Sequence, residues 1–444
     1  RLFSVSQSKI TNLRAMTFSA SLPDNHALRE QLHHEAHARQ AIKIKSPAQA
    51  THIALIHDGD QKIIELKHLE SLCETFNRPR PSSDTLHFSD DFGNFQFQWQ
   101  HHGEYSTYTF YQHHSEHPPF SQSVLNQIPA EWLKALPGKI MVAIHAAIIK
   151  SEAQPDFQDI AEHFSGGALV GAEVASGAAL AFTDFKIQAD GFSRFVIYDR
   201  QLNSRQAGRY LQRLCDIEVF RIMSLQAYPV AQALMPKLTR ADQDLLRITT
   251  SMHQLDIDDS QLLDELTALA AEIENCFSST HTRFVKTAAY YQLVEQRINE
   301  LKEVRIPGVQ TINEFLNRRL EPTINTCVVT EKRLTMLSER ISKASQLLRT
   351  RVDITLERQN QSLLTSMDKR ANLQLHLQST VEGLSVAAIS YYTVGLFNYI
   401  AKAIKASGIA VNPSLITGIS IPIIIFFVYR GVGNIRKMVS KIHE

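Results

Sequence analysis

The chain has 444 residues, more than one ordinary domain of about 100 to 200 residues needs, so two or three structural units are expected. Its 46 Lys plus Arg are matched by 45 Asp plus Glu, a balance that excludes a dedicated nucleic-acid surface. Cys73, Cys215, Cys276 and Cys327 lie far apart and form no CxxC pair, which argues against a zinc knuckle or disulfide framework and points to a reducing compartment.

Arg1 to Ala20 alternates polar and apolar residues and lacks the apolar core of a secretory signal, so the soluble part is expected to stay in the cytoplasm. Histidines crowd the N-terminal part, most densely in HALREQLHHEAHAR at 26–39. A helix over Ala27 to Ala38 would place His33 and His37 on one face, and these two with the strand residue His101 form a candidate metal or proton site. Solvated surface histidines are the competing reading. The run His34-Glu35-Ala36-His37 is one residue short of the HExxH zinc pattern.

Residues 50–200 read as an α+β domain. Strands are predicted at 51–57, 95–99, 105–111, 139–149 and 192–199, where β-branched and aromatic residues concentrate, with helices at Gln61 to Phe76 and Asp156 to Phe164. Asp58-Gly59, Pro137-Gly138 and Gly166-Gly167 mark turns. Glu104, Thr107 and Thr109 form a polar row, with Tyr105 and Tyr108 assigned to the other strand face; the row either lines a pocket or is the exposed side of an antiparallel sheet. Asp184, Asp190 and Asp199 read as turn formers at strand ends. The cluster GGALVGAEVASG, Gly166 to Gly177, matches neither phosphate-binding glycine pattern and reads as flexible turns. A serine-hydrolase elbow is missing as well.

From the candidate cap Asn203-Ser204 onward the pattern is helical, with Pro229, Pro236, Pro307 and Pro322 expected to break it into antiparallel segments. Thr323 to Glu382 contains neither Gly nor Pro and, if wholly helical, extends about 90 Å at about 1.5 Å per residue. Leu337, Ile341, Leu348, Val352, Leu363 and Met367 belong to an apolar stripe continuing through Leu373, Leu377, Val381 and Leu384, and are the candidate assembly residues. Gln374 interrupts an eleven-residue row of that stripe, and Arg340, Lys343, Arg349, Arg358 and Lys369 occupy the opposite face. Such a helix needs a partner for its stripe, either the preceding helices or the same helix of neighbouring subunits, and both are expected at different heights.

Gly383 to Ala401 and Ala406 to Tyr429 are each near the roughly 20 apolar residues a bilayer requires, with a turn at Ser407 to Pro413 between them. Lys369 and Arg370 precede the first span, and Arg430, Arg436, Lys437 and Lys441 follow the second; Lys402 and Lys405 lie near the turn. Both chain ends are therefore expected in the cytoplasm. Tyr391, Gly395, Asn398 and Lys402 share a face of the first span near Ser390 and Thr393, as a packing seam or a pore lining. The expected organisation is a cytoplasmic α+β domain at 1–202, a helical stalk at 203–383, a two-helix transmembrane hairpin at 384–430 and a basic tail at 431–444.

Five segments carry a family resemblance: HALREQLHHEAHAR at 26–39, YSTYTF at 105–110, TDFKIQADGFSRFVIYDR at 183–200, VRIPGVQT at 304–311, and the long block at 338–396 from SERISKASQLL to YYTVGL. They closely resemble bacterial membrane-anchored proteins grouped as domain-of-unknown-function family 3422. The resemblance spans nearly the whole chain but implies no activity. This chain departs from the pattern where Gln40 follows HAR and where Gln100-His101 follows the strand tryptophan, which argues against an enzyme. A looser similarity of architecture links it to CorA-type cation channels, although Ser407 to Pro413 lacks their Gly-Met-Asn turn signature.

The expected function is that of a homo-oligomeric scaffold or sensor at the bacterial inner membrane, with no reaction and an unknown ligand or cofactor. A cation channel or transporter and a histidine-based metal sensor are the alternatives. The expected partners are the lipid bilayer, further copies of the chain and, in the channel reading, a cation.

Overall fold

A computed structural model describes residues 25–29, 32–33, 42–57, 59, 61–113, 118–151, 155–166, 168–254, 258–406 and 412–440. The chain divides into two compact units, one formed by residues 1–245 and 269–340 and the other by 246–268 and 341–444. The sheet and a set of helices distant in sequence thus belong to one unit.

The first unit is built on an eight-stranded sheet. Its strands are β1 (Ala48–Ile56), β2 (His87–Asp91), β3 (Gln96–His101), β4 (Tyr105–His113), β5 (Lys139–Lys150), β6 (Val170–Val174), β7 (Ala179–Thr183) and β8 (Ser193–Asp199), in the order β2-β3-β4-β1-β5-β8-β7-β6. Among the described strands only β5 and β8 pair in parallel. That pairing needs a crossover, which is supplied by α3 (Phe157–Ala161) and the β6–β7 hairpin. The five predicted strands are present. β2, β6 and β7 were not anticipated: β2 is short and acidic, and β6 lies within the glycine cluster.

Gly171 explains that cluster better than flexibility does. A Cβ there would lie 2.3 Å from Phe182 Cδ1 and 2.6 Å from the Ala181 carbonyl oxygen, so the strand accepts only glycine under the Phe182 ring. The β6 edge is covered by chain from beyond the sheet, since Gly171 N donates to Gln310 O at 2.9 Å and Val304 N to Glu173 O at 2.8 Å.

Each face of the sheet has its own core. On one face, α1 (Lys62–Thr75) and α2 (Ala130–Lys134) cover Ile53, Leu55, Phe97, Trp99, Tyr108 and Phe110. On the other, Ile144, Ala146, Ile148, Phe195 and Ile197 meet α4 (Ser204–Leu225) and the later part of α6 (Asp259–Leu301). Alternation along β4 divides its side chains between these cores. Helix α4 begins where the sequence indicates: Asn203 Oδ1 accepts from Gln206 N at 2.9 Å, and Gln206 Oε1 accepts from Asn203 N at 3.0 Å.

The prolines break fewer helices than expected. Pro229 and Pro236 both lie within α5 (Ala227–Ser251), Pro229 in its first turn and Pro236 in its interior. Pro322 occupies the first turn of α8 (Glu321–Ala406), where a missing N–H costs nothing, and Pro307 falls between α6 and α7 (Ile312–Arg319). Helix α8 is continuous over 86 residues.

In the second unit, Ala344 and Leu348 of α8 are buried, as are Leu262 and Leu266, and Arg351 Nε is 2.8 Å from Asp259 Oδ2. Helix α9 (Pro413–Ser440) follows α8 and runs on through most of the segment expected to be a separate basic tail. The stretches within Ile312–Ala406 and Pro413–Asn434 are long and apolar enough to cross a membrane. Thr417 Oγ1, which donates to Pro413 O at 2.8 Å, also lies 3.4 Å from Asn398 Oδ1, a polar contact between the two helices.

Candidate functional site

Between the sheet and helices α4 and α6 lies a cavity of about 370 Å³, within the range of about 300–1,000 Å³ typical of small-molecule sites. Strand alternation builds its floor: Tyr105, Thr107, Thr109 and Tyr111 of β4 point into it, joined by Gln98 and Gln100 of β3 and His52 of β1. Tyr105 therefore belongs with the threonines, and only Tyr108 takes the opposite face. The polar row is no exposed sheet surface, since Thr107 and Thr109 are 7% and 5% accessible. Cys215, Asp216 and Phe220 of α4 and Tyr290 and Arg297 of α6 supply the opposite wall.

Two nitrogens at this cavity are left over. His52 Nδ1 pairs with Thr109 Oγ1 at 2.8 Å and Tyr111 donates its hydroxyl to Gln98 Oε1 at 3.2 Å, while His52 Nε2 and Gln98 Nε2 are buried with no hydrogen-bond partner. Burial pushes the His52 imidazole down to about 4, so it is neutral at pH 7. Unpaired buried polar atoms are costly, and their convergence on one cavity marks it for a polar occupant.

The cavity wall is close to charge balance. Arg297 Nε lies 3.0 Å from Asp216 Oδ2, and its Nη1 lies 3.2 Å from Glu300 Oε1. Burial pushes the Asp216 carboxyl up to about 6, against the pull of Arg297. Glu104, at the start of the polar row, accepts from Lys286 Nζ and the Tyr290 hydroxyl, each at 2.6 Å. Burial alone would raise its carboxyl, but those donors outweigh it and hold Glu104 below the usual glutamate range.

Across the sheet, His101 enters a different cluster. His57, Glu65 and His101 are all buried, and one donor atom of each lies within 4.8 Å of the others. His33 is exposed in the described N-terminal turn, and His37 lies outside the described residues. The sequence thus singled out one of these three clustered residues. His57 and Glu65 gave no spacing signal, because they come from the end of β1 and the first turns of α1 and meet only through the fold.

The assembly residues divide along α8. Leu337, Ile341 and Leu348 are buried at 1%, 1% and 0% accessibility and Val352 is half-buried, whereas Leu363 and Met367 are 62% and 64% exposed. Farther along, Asn398 makes the contact with Thr417, Gly395 is half-buried beside it, Tyr391 is exposed and Lys402 Nζ lies 5.9 Å from the Tyr399 ring centroid. The four cysteines are buried and unpaired.

The family model described as "Protein of unknown function (DUF3422)" matches residues 24–439. The chain belongs to this family. No curated protein and no solved structure matches it. Family membership therefore covers both the sheet unit and the apolar helices without supplying an activity.

Proposed function

We propose that this protein is a membrane-anchored sensor whose sheet unit binds a small, neutral, polar molecule in the cavity between β4 and helices α4 and α6. The pair of unsatisfied nitrogens, His52 Nε2 and Gln98 Nε2, carries this reading. The neighbouring ion pairs neutralise one another, which favours an uncharged ligand. The tyrosines at 105, 111 and 290 offer ring faces against which it packs. No reaction is assigned, because the cavity's histidine is neutral and its carboxylate Asp216 is tied to Arg297.

The apolar segments of α8 and α9 supply the anchor. Lys369, Arg370, Arg430 and Arg436 flank them, and by the positive-inside rule both chain ends lie in the cytoplasm of a bacterial cell, with the connecting turn outside the inner membrane. The exposed row Leu363, Met367, Leu377 and Val381 just before the first span packs against the same row of further copies. Membrane anchoring holds every copy at the same height and in the same direction, so identical stripes face each other. The Asn398–Thr417 contact supports a packing role for the polar face of the first span, in preference to a cation path.

The test is ligand capture. Full-length protein in detergent is denatured and the released small molecules identified by mass spectrometry, and a panel of neutral metabolites is screened for thermal stabilisation. At least one compound is expected to stabilise the wild type, with the shift lost in His52→Ala and Gln98→Leu. A wild type that releases nothing and responds to no compound contains only water in its cavity, and the sensor reading fails.

A further inference from the structure

The cluster on the α1 side of the sheet contains an electrostatic contradiction. His57 Nδ1 is 2.8 Å from the Gly59 carbonyl oxygen, so Nδ1 carries a proton and donates it. In the neutral ring the lone pair is then on Nε2, which faces Glu65 Oε1 at 3.8 Å. Both side chains are completely buried, and neither of these two atoms has a hydrogen-bond partner. Two lone-pair-bearing atoms are thus aimed at one another in an apolar surround of Leu66, Leu69, Trp99 and Tyr108. A positive charge between them resolves the arrangement.

The rest of the cluster holds these atoms in place. Glu65 Oε2 accepts from Ser106 Oγ at 2.8 Å and from Trp99 Nε1 at 3.2 Å, and His101 Nδ1 lies 3.1 Å from it. Two donors on one carboxylate oxygen fix its plane and leave the other oxygen turned toward His57. His101 turns Nδ1, not Nε2, toward the carboxylate, and in its Nε2–H tautomer the lone pair lies on Nδ1 beside Glu65. The imidazoles of His57 and His101 are parallel within 4°, with centroids 5.3 Å apart. An outer hydrogen bond that sets the His57 tautomer, and others that orient the carboxylate, are what metal ligands require.

We propose that His57, Glu65 and His101 bind one divalent transition-metal ion, with zinc as the ion that two imidazoles and a carboxylate fit best. A proton shared by His57 and Glu65 would draw the two atoms to within about 3 Å, which 3.8 Å is not. Donors about 2.1 Å from a tetrahedral ion lie about 3.4 Å apart, so the His57–Glu65 gap of 3.8 Å needs a closure of about 0.4 Å. All donor atoms lie within 4.8 Å of one another, so the set closes on the ion as separations shorten by about 1.4 Å at most. With side-chain accessibilities of 0% for His57, 0% for Glu65 and 8% for His101, this is a buried three-ligand site that ties β1, α1 and β3 together and leaves the fourth tetrahedral position to a water.

Full-length protein purified in detergent without chelator is analysed for metals, then stripped and titrated with zinc or cobalt. About one zinc per chain is expected, with a raised Tm on zinc addition and visible d–d absorption on cobalt addition. Glu65→Gln and His57→Ala are expected to lose the ion and both responses. Should those variants fail to fold, Ser106→Ala, which removes the hydroxyl's contacts to Glu65 and His101 and no ligand, is expected to weaken zinc about 10- to 100-fold. His33→Ala and His37→Ala are expected to leave binding unchanged. Metal-free wild type with neither a Tm shift nor a cobalt spectrum overturns the proposal. Binding that survives Glu65→Gln and His57→Ala but is lost in His33→Ala or His37→Ala also overturns it.

Discussion

His52 shows how one residue couples the cavity to acidity. Its folded value near 4 lies below the ordinary 6.5, so between those values the unfolded chain takes up a proton that the folded chain refuses. Folded stability therefore falls as pH drops through that window. His145, also depressed to about 4 by burial, acts in the same direction. Asp216, raised to about 6, contributes the opposite slope, with stability falling as pH rises from about 4 to about 6. Replacing His52 with Gln keeps a partner for Thr109 and removes the titration. Thermal unfolding at pH 7 and pH 4.5 should show a smaller acid-induced drop in Tm for His52→Gln than for the wild type, and equal drops would refute the assignment. The polar strand row was readable at this scale because β4 alternates, yet its cavity was not. The opposing wall, Asp216 and Arg297, comes from helices far along the chain, and residue spacing records no such meeting.

At the scale of elements, α8 carries two environments on one apolar stripe. Leu348 is fully buried, so Leu348→Ala is expected to cost roughly 2–5 kcal/mol of fold stability. Leu363 is mostly exposed, and Leu363→Ala is expected to stay within about 0.5 kcal/mol in the single chain while lowering the assembled mass. Denaturation and light scattering in detergent separate the two effects. A wild type that scatters as a strict monomer would remove the assembly claim. Periodicity made the stripe legible from Leu337 onward, but it is blind to what covers each turn. Proline was misread for a related reason: a first-turn position and a helix interior look alike until the helix start is known. The glycine cluster hid β6 because Gly171 reports a close approach to Phe182 rather than a turn.

For the whole molecule, the α+β sheet followed by long helices and an apolar C-terminal helix was legible from composition alone, since strand-rich, charged-helical and apolar stretches occupy separate parts of the chain. How the chain partitions into compact units was not, because residues 269–340 return to the sheet's unit after an excursion through the other. The apolar stretches of α8 and α9 should keep the protein in the membrane pellet through alkaline carbonate washing of cells that express it. Release into the supernatant would discard the anchor, its orientation and the matched-height argument for assembly. The segment 304–310 hydrogen-bonds along β6, which makes a loop between two helices the outermost rung of the ladder. The C-terminal end of α6 and this margin of the sheet should accordingly open and close as one cooperative piece, so that a disturbance sensed at either is felt at the other without any wire of side chains between them.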